Sequence, residues 1–514
     1  FASNIGSEHL IGLAGAGASS GMAMAHWEIQ GWMILILGWV FVPFYSRSMV
    51  YTMPEFLERR YNPQSRTILS VISLVSYVLT KVAVTVYAGG LVFQQVFGIK
   101  ELWGIDFFWI AAIGLVVLTA LYTIFGGMKS VLYTSVLQTP ILLLGSLIIL
   151  VLGFKELGGW DEMMRVCGAV TVNDYGDTMT NLIRSNDDAN FPWLGALIGS
   201  AIIGFWYWCT DQFIVQRVLS GKNEKEARRG TIFGAYLKLL PVFLFLIPGM
   251  IAFALHQKYI GAGGEGFLPM LANGTANADA AFPTLVAKLL PAGVKGLVVC
   301  GILAALMSSL ASLFNSSAML FTIDFYKRFR PETPEKKLVG IGQIATVVIV
   351  ILGILWIPIM RSVGDVLYTY LQDVQSVLAP GIAAAFLLGI CWKRTSAQGG
   401  MWGLIAGMVI GLTRLGAKVY YSNAGEVADS TFKYLFYDMN WLFFCGWMFL
   451  FCIIVVIVVS LATEAPTAEK IQGLVFGTAT KEQKAATRAS WDHWDIIHTA
   501  IILAITAAFY WYFW

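Results

Sequence analysis

Ala305, Ser308 and Ser309 stand at i, i+3 and i+4 of an apolar run. On a helix they share one face and aim two hydroxyl oxygens and a carbonyl at one point. A hard monovalent cation such as sodium takes its ligands from such oxygens, and a helix broken at membrane depth adds more through carbonyls released from their ladder. The chain offers such a break at its start. Ala2-Ser3-Asn4-Ile5-Gly6-Ser7-Glu8-His9 is polar and runs into Gly12, Gly15, Gly17 and Gly21, with Ala2 and Ile5 flanking the break. The serine face also admits a plainer role, because Ala305, Ser309 and Ser312 form a small-residue stripe suited to close helix packing.

A second set of residues suits a polyol. Asn4 and His9 lie in the broken segment, Glu28 opens the next apolar run, Lys238 sits inside "AYLKLLP" and Gln372 inside "YTYLQDV". Together they supply the donors and acceptors that replace water around sugar hydroxyls. Tyr207 and Trp208 in "FWYWCTDQ" could offer an apolar face to a pyranose ring. Each has a structural alternative: a buried Glu28–Lys238 pair, an interhelical bond from Gln372, an interior His9, and an interfacial aromatic belt. Lys81 and Asp211 are further ionisable groups within apolar runs, where a charge is costly and faces a partner or a pathway. Asp211 precedes Arg217, which points to an inner-vestibule ion pair.

These residues need spanning helices to position them. Of 514 residues, 57% are hydrophobic and 13% charged, against about a quarter charged in soluble proteins. Apolar runs of the length that crosses a bilayer recur at 1–24, 27–46, 67–97, 105–125, 130–154, 193–217, 229–257, 294–326, 338–360, 365–391, 400–420, 438–462 and 494–514. Strand-like alternation is absent, so the expectation is an all-α polytopic membrane protein. Gly126-Gly127-Met128-Lys129-Ser130 reads as a tight turn between two of the spans. Arginine and lysine gather around 47–66, 217–229, 327–337 and 393–394, on alternate sides of successive spans, which makes that side cytoplasmic. The opposite side carries the acidic 155–192 connection, and the C-terminus is expected outside.

A net charge of +3 gives no reason to expect nucleic acid. Of six cysteines, only Cys167 falls clearly in a loop, so no disulfide framework is implied. Five scattered histidines and the lack of a phosphate loop, zinc spacing or nucleophile triad argue against an enzyme. Phe1 already reads as membrane-embedded, so further N-terminal chain is expected before it.

The stretches "ASNIGSEHLIGLAGAGASSG", "LYTIFGGMKS", "WYWCTDQFIVQR", "GAYLKLLPVF", "LAALMSSLASLFNSSAMLFTIDFYKR" and "GMWGLIAGMVIGL" resemble the solute:sodium symporter family, closest to its sodium/glucose (galactose) cotransporters. They run across nearly the whole chain. The resemblance implies a LeuT-type inverted repeat of five plus five helices, with residues 1–391 as transporter core and 392–514 as peripheral helices. The first core helix would begin upstream of Phe1. It places sodium among the carbonyls of Ala2, Ile5 and Ala305 and the hydroxyls of Ser308 and Ser309. It places sugar among Asn4, His9, Glu28, Tyr207, Trp208, Lys238 and Gln372. The outer gate falls on Leu13, Trp27 and Tyr368, and Tyr207 resembles the inner gate.

Three departures matter. Ser135 and Ala311 stand where relatives with a second sodium site carry Asp and Thr or Ser, which implies one sodium per sugar. Gly204 stands where relatives place Asn or Thr, so one sugar hydrogen bond would be missing or replaced by water. The external cysteines of animal relatives are absent, which suggests a bacterial inner-membrane protein. The expected function is sodium-coupled hexose symport by alternating access. A myo-inositol or polyol carrier, or a sugar-gated sensor or sodium leak, is the alternative.

Overall fold

A computed structural model describes the chain except residues 1–3, 7, 49, 51, 272–273, 364–366 and 425–427; side chains at 122, 124–132, 134–135, 137–138 and 360–363 also lie outside the description. Helix makes up 79% of the molecule. Among the described residues eleven helical runs are long and apolar enough to cross a membrane. They are α1 (Glu8–Ser48), α2 (Pro63–Phe97), α3 (Thr139–Leu157), α4 (Trp193–Thr210), α5 (Glu224–Gly261), α6 (Ala292–Phe329), α7 (Glu335–Ile359), α8 (Leu367–Cys391), α9 (Ala397–Asn423), α10 (Trp441–Ala462) and α11 (His493–Tyr512). The multi-pass helical expectation is met.

Polar residues at the run ends set where helices start. Asn62 and Asn223 accept from the backbone N–H of Ser65 and Glu226, and Pro63 occupies the first turn of α2. Asp492 and Asp495 form a reciprocal capping box at the start of α11. Each satisfies amides that a helix N-terminus leaves without partners.

Two expectations about span boundaries change. The turn at 126–130 is helical: one helix runs from Phe107 to Leu157, and α3 is its end. An interior glycine costs about 1 kcal/mol, too little to end a helix by itself. The first two expected spans join as α1, which bends at Gly21. That residue has φ +66, and a methyl group on it would lie 2.1 Å from the Met179 carbonyl oxygen. Only glycine fits both the backbone angle and the approach.

The 155–192 connection packs over this bend. Met22 N–H donates to Met179 O at 2.8 Å, and His26 bonds Leu182 O at 3.0 Å and Tyr510 Oη at 2.9 Å. Leu182 N–H donates to Phe513 O, so the end of α11 lies on the same face as this connection. Cys167 is buried in a helix there, with its Sγ toward Met250 O. The opposite, basic face is tied by ion pairs: Arg66 with Glu58 and Asp324 at 2.6 Å each, and Arg229 with Asp492 at 2.7 Å.

The centre lies where α1, α2, α4, α5 and α8 converge. One-turn π segments widen the helices there at Glu8–Leu13, Tyr77–Val82, Phe205–Thr210 and Val242–Leu246. Such segments recur at functional sites because they turn side chains off the regular helical face. These ones carry His9, Lys81, Tyr207 with Trp208, and Phe245.

Candidate functional site

The convergence encloses a cavity whose walls include Asn4, His9, Trp27, Tyr207, Trp208, Lys238, Tyr368 and Gln372. Its volume is ≈ 50 Å³. That is room for a few waters. A ring-sized solute therefore needs the walls to move apart. A second cavity of ≈ 260 Å³ shares Asn4, Trp208 and Lys238 and extends toward Glu226 and Gly230 near the basic face.

Charge is concentrated just behind the wall. Lys238 Nζ lies 2.6 Å from Glu28 Oε2, and Tyr368 Oη donates to Glu28 Oε1 at 2.5 Å. His9 Nε2 is 3.3 Å from Glu28 Oε2 but off the hydrogen-bonding direction. Glu28 itself is fully buried and does not line the cavity. The expected buried pair and the expected polar wall thus coexist: Glu28 anchors Lys238 and Tyr368, and those two meet the space. Each bond makes the next residue's position dependent on the carboxylate.

Several polar atoms around the cavity have no hydrogen-bond partner among the described residues: Asn4 Nδ2, His9 Nδ1, Trp27 Nε1 and Gln372 Oε1. A buried polar atom without a partner costs about 1–3 kcal/mol. Such a set is destabilising unless something polar occupies the space. Donors and acceptors converging on one small volume suit a hydroxylated solute.

The aromatic residues close the cavity on two sides. Tyr207 Oη donates to Asn4 Oδ1 at 3.0 Å, which ties α4 to the broken segment. Trp208 lies 5.4 Å from Lys238 Nζ, a cation over a ring rather than a bare stacking face. Trp27 stacks on Trp441 of α10 with centroids 5.4 Å apart and an interplanar angle of 22°, and meets Phe191 edge-on at 6.1 Å. Leu13 is fully buried.

Of the residues expected around sodium, Ala2 lies outside the described residues. Ile5, Ala305, Ser308 and Ser309 are all buried. A methyl group on Gly6 would sit 2.6 Å from Ser309 Oγ, so the broken segment and the serine face of α6 meet in van der Waals contact. The packing-stripe alternative shares Ala305 and Ser309 with this set, and its third residue is Ser312. Ser312 Oγ takes a bond from Arg217 and Ser316 Oγ one from Gln216 at 2.6 Å, one and two turns further along α6. The described residues contain no cluster of three or more His, Cys, Asp or Glu that could hold a metal.

The ion pair expected at Asp211 is made with Lys81. Lys81 Nζ lies 2.5 Å from Asp211 Oδ2, Tyr77 Oη donates to Asp211 Oδ1 at 2.8 Å, and Lys81 sits 4.8 Å from the Tyr207 ring. Lys81 also lines the cavity, as do Glu8, Gln30 and Gln375. Sequence reasoning left Glu8, Gln30 and Gln375 unused. A carboxylate or carboxamide inside a spanning run was the available signal.

The model of the sodium:solute symporter family matches residues 1–407. Sodium/myo-inositol cotransporter 2 of Homo sapiens is 36% identical over 491 residues, covering 93% of this chain and 72% of its own. Sodium/glucose cotransporter 1 of Ovis aries is 38% identical over 482 residues, covering 90% and 72%. Among solved structures, a substrate-bound, outward-open Na+-coupled sialic acid symporter superposes with TM-score 0.68 at 21% identity, covering 91% of this chain and 89% of that one. MhsT in complex with L-phenylalanine superposes with TM-score 0.50 at 12% identity, covering 90% and 96%. The fold is that of the LeuT-type transporters.

Proposed function

Because the chain belongs to the sodium:solute symporter family, a family of sodium-coupled transporters rather than enzymes, we propose that it carries a hexose such as glucose or galactose, one sodium per sugar. Sodium is the co-transported ion. The observation that carries the sugar reading is the ring of unpartnered polar atoms on Asn4, His9 and Gln372 around a cavity backed by the Glu28–Lys238 pair. The core is residues 1–391, with 392–514 peripheral. The acidic face and the C-terminus are external, and the membrane is a bacterial inner membrane.

Sodium binds between the broken segment at Ile5 and the hydroxyls of Ser308 and Ser309. By bridging two helices it favours the outward-open arrangement, in which Asn4 and His9 are placed for sugar. Leu13, Trp27 and Tyr368 then close over the sugar, and parting of Tyr207 from Asn4 opens the path toward Glu226. Coupling is reciprocal, so sugar tightens sodium as much as sodium tightens sugar. One charge crossing 100 mV supplies about 2.3 kcal/mol and a tenfold sodium gradient about 1.4, enough for roughly 500-fold accumulation.

Purified protein in liposomes tests this. Hexose uptake that rises with a sodium gradient, with a sodium slope near one, is the expected outcome; uptake indifferent to the gradient refutes coupling, and a slope near two refutes the single ion. The similarity to the human sodium/myo-inositol cotransporter favours a second reading, inositol as solute. Competition between labelled glucose and unlabelled inositol separates the two.

A further inference from the structure

We propose that Gln30 reads a hydroxyl of the transported solute, and that it does so in space left by the missing side chain of Gly204. The inference rests on the central cavity being the solute site. Trp27 and Gln30 both line that cavity, Gln30 from the non-helical turn between Glu28 and Gly31. Glu28, between them in sequence, is turned behind the wall. Gln30 itself is buried.

The carboxamide is held at one end. Gln30 Nε2 donates to the Ser200 carbonyl of α4 at 2.8 Å. A carbonyl accepts only from the NH₂ end, so this bond fixes which end of the amide is oxygen. The oxygen lies over Gly204, one turn beyond Ser200. A methyl group on Gly204 would meet Gln30 Oε1 at 2.4 Å and its Cδ at 3.0 Å.

Gly204 and Gln30 are therefore one device. The α4 wall is cut back by a side chain, and an amide oxygen from α1 fills the gap and faces a cavity also lined by Asn4, Lys238 and Gln372. Any side chain at 204 displaces it. The displaced group is the free end of a flexible side chain, so Gly204→Ala moves the amide without breaking the helix. An amide oxygen at a cavity wall accepts from a donor inside the cavity, and a hydroxyl of a neutral polyhydroxylated solute supplies one.

The test measures sodium-driven uptake in liposomes by the unmodified protein, Gln30→Ala, Gly204→Ala and the double variant, with the best-transported sugar and its single-deoxy analogues. Each single variant is expected to raise KM about three- to tenfold, the range of one neutral hydrogen bond, with the sodium slope kept. The double variant is expected to be no worse than the poorer single, because both changes remove the same contact. One deoxy analogue, poorly carried by the unmodified protein, should lose its disadvantage in Gln30→Ala. Unchanged KM in both single variants, additive effects, or an unaltered deoxy pattern overturns the assignment. If the unmodified protein drives no sugar or inositol at all, the solute-site reading fails and Gln30 falls with it; normal uptake with an indifferent Gln30→Ala refutes Gln30 alone.

Discussion

Lys238→Met separates what the buried pair does for the fold from what it does for the solute. Nζ and Glu28 Oε2 are 2.6 Å apart and both side chains are almost fully buried. At an effective dielectric of 20 that contact is worth about 6 kcal/mol of Coulomb energy before desolvation. Removing one partner of a buried pair costs about 3–5 kcal/mol, mostly from the charge left behind. Glu28 keeps the Tyr368 hydroxyl at 2.5 Å and His9 at 3.3 Å, so the expected loss is at the low end, about 3 kcal/mol. Adding Glu28→Gln to Lys238→Met removes the stranded charge and should restore most of the stability. It should not restore uptake, because Lys238 faces the cavity. Thermal midpoints in detergent, followed by size-exclusion chromatography, are paired with sugar uptake in liposomes. A single variant as stable as the unmodified protein, or a double variant less stable than the single, would refute the reasoning.

Ser309→Ala should weaken sodium activation about 10- to 100-fold, as expected for losing an oxygen beside a cation; an unchanged sodium curve removes Ser309 from the ion site. Tyr207→Phe deletes the 3.0 Å bond to Asn4 and should speed sugar efflux about fivefold, for a bond worth about 1 kcal/mol; slower efflux contradicts the gate. Asp279 lies outside the spanning helices, where burial pushes its carboxyl up to about 7, opposed by the Leu367 N–H. Its folded value lies above the ordinary one, so the folded state holds the extra proton. Stability is then full below about pH 4 and declines as pH rises to about 7. Thermal midpoints across that window should fall in the unmodified protein and flatten in Asp279→Asn, and parallel slopes would exclude Asp279 as the cause.

The candidate residues were readable where they depend on local spacing. Ala305, Ser308 and Ser309 share a face in any helix, and the polar break at Asn4 to His9 stands out in an apolar chain. The motifs carried the family. Pairings were not readable in the same way. Asp211 has Arg217 nearby in sequence yet bonds Lys81, 130 residues away. Trp27 finds its stacking partner in Trp441 of α10, with no sequence cue linking the two. The expected turn at 126–130 failed because a glycine pair costs too little to end a helix. Gln30 was passed over because its role depends on the emptiness at Gly204.

The sequence by itself determined that the chain crosses a membrane many times, which residues share the serine face, and which family it belongs to. Each rests on period, composition or a contiguous motif. Only the tertiary structure decided that Glu28 stands behind the wall and Lys238 on it, that Lys81 closes on Asp211, and that an amide from α1 fills the space above Gly204. Those outcomes depend on how far each helix is rotated and shifted against its neighbours. Apolar helix surfaces are too uniform to write that relation into any one stretch of chain.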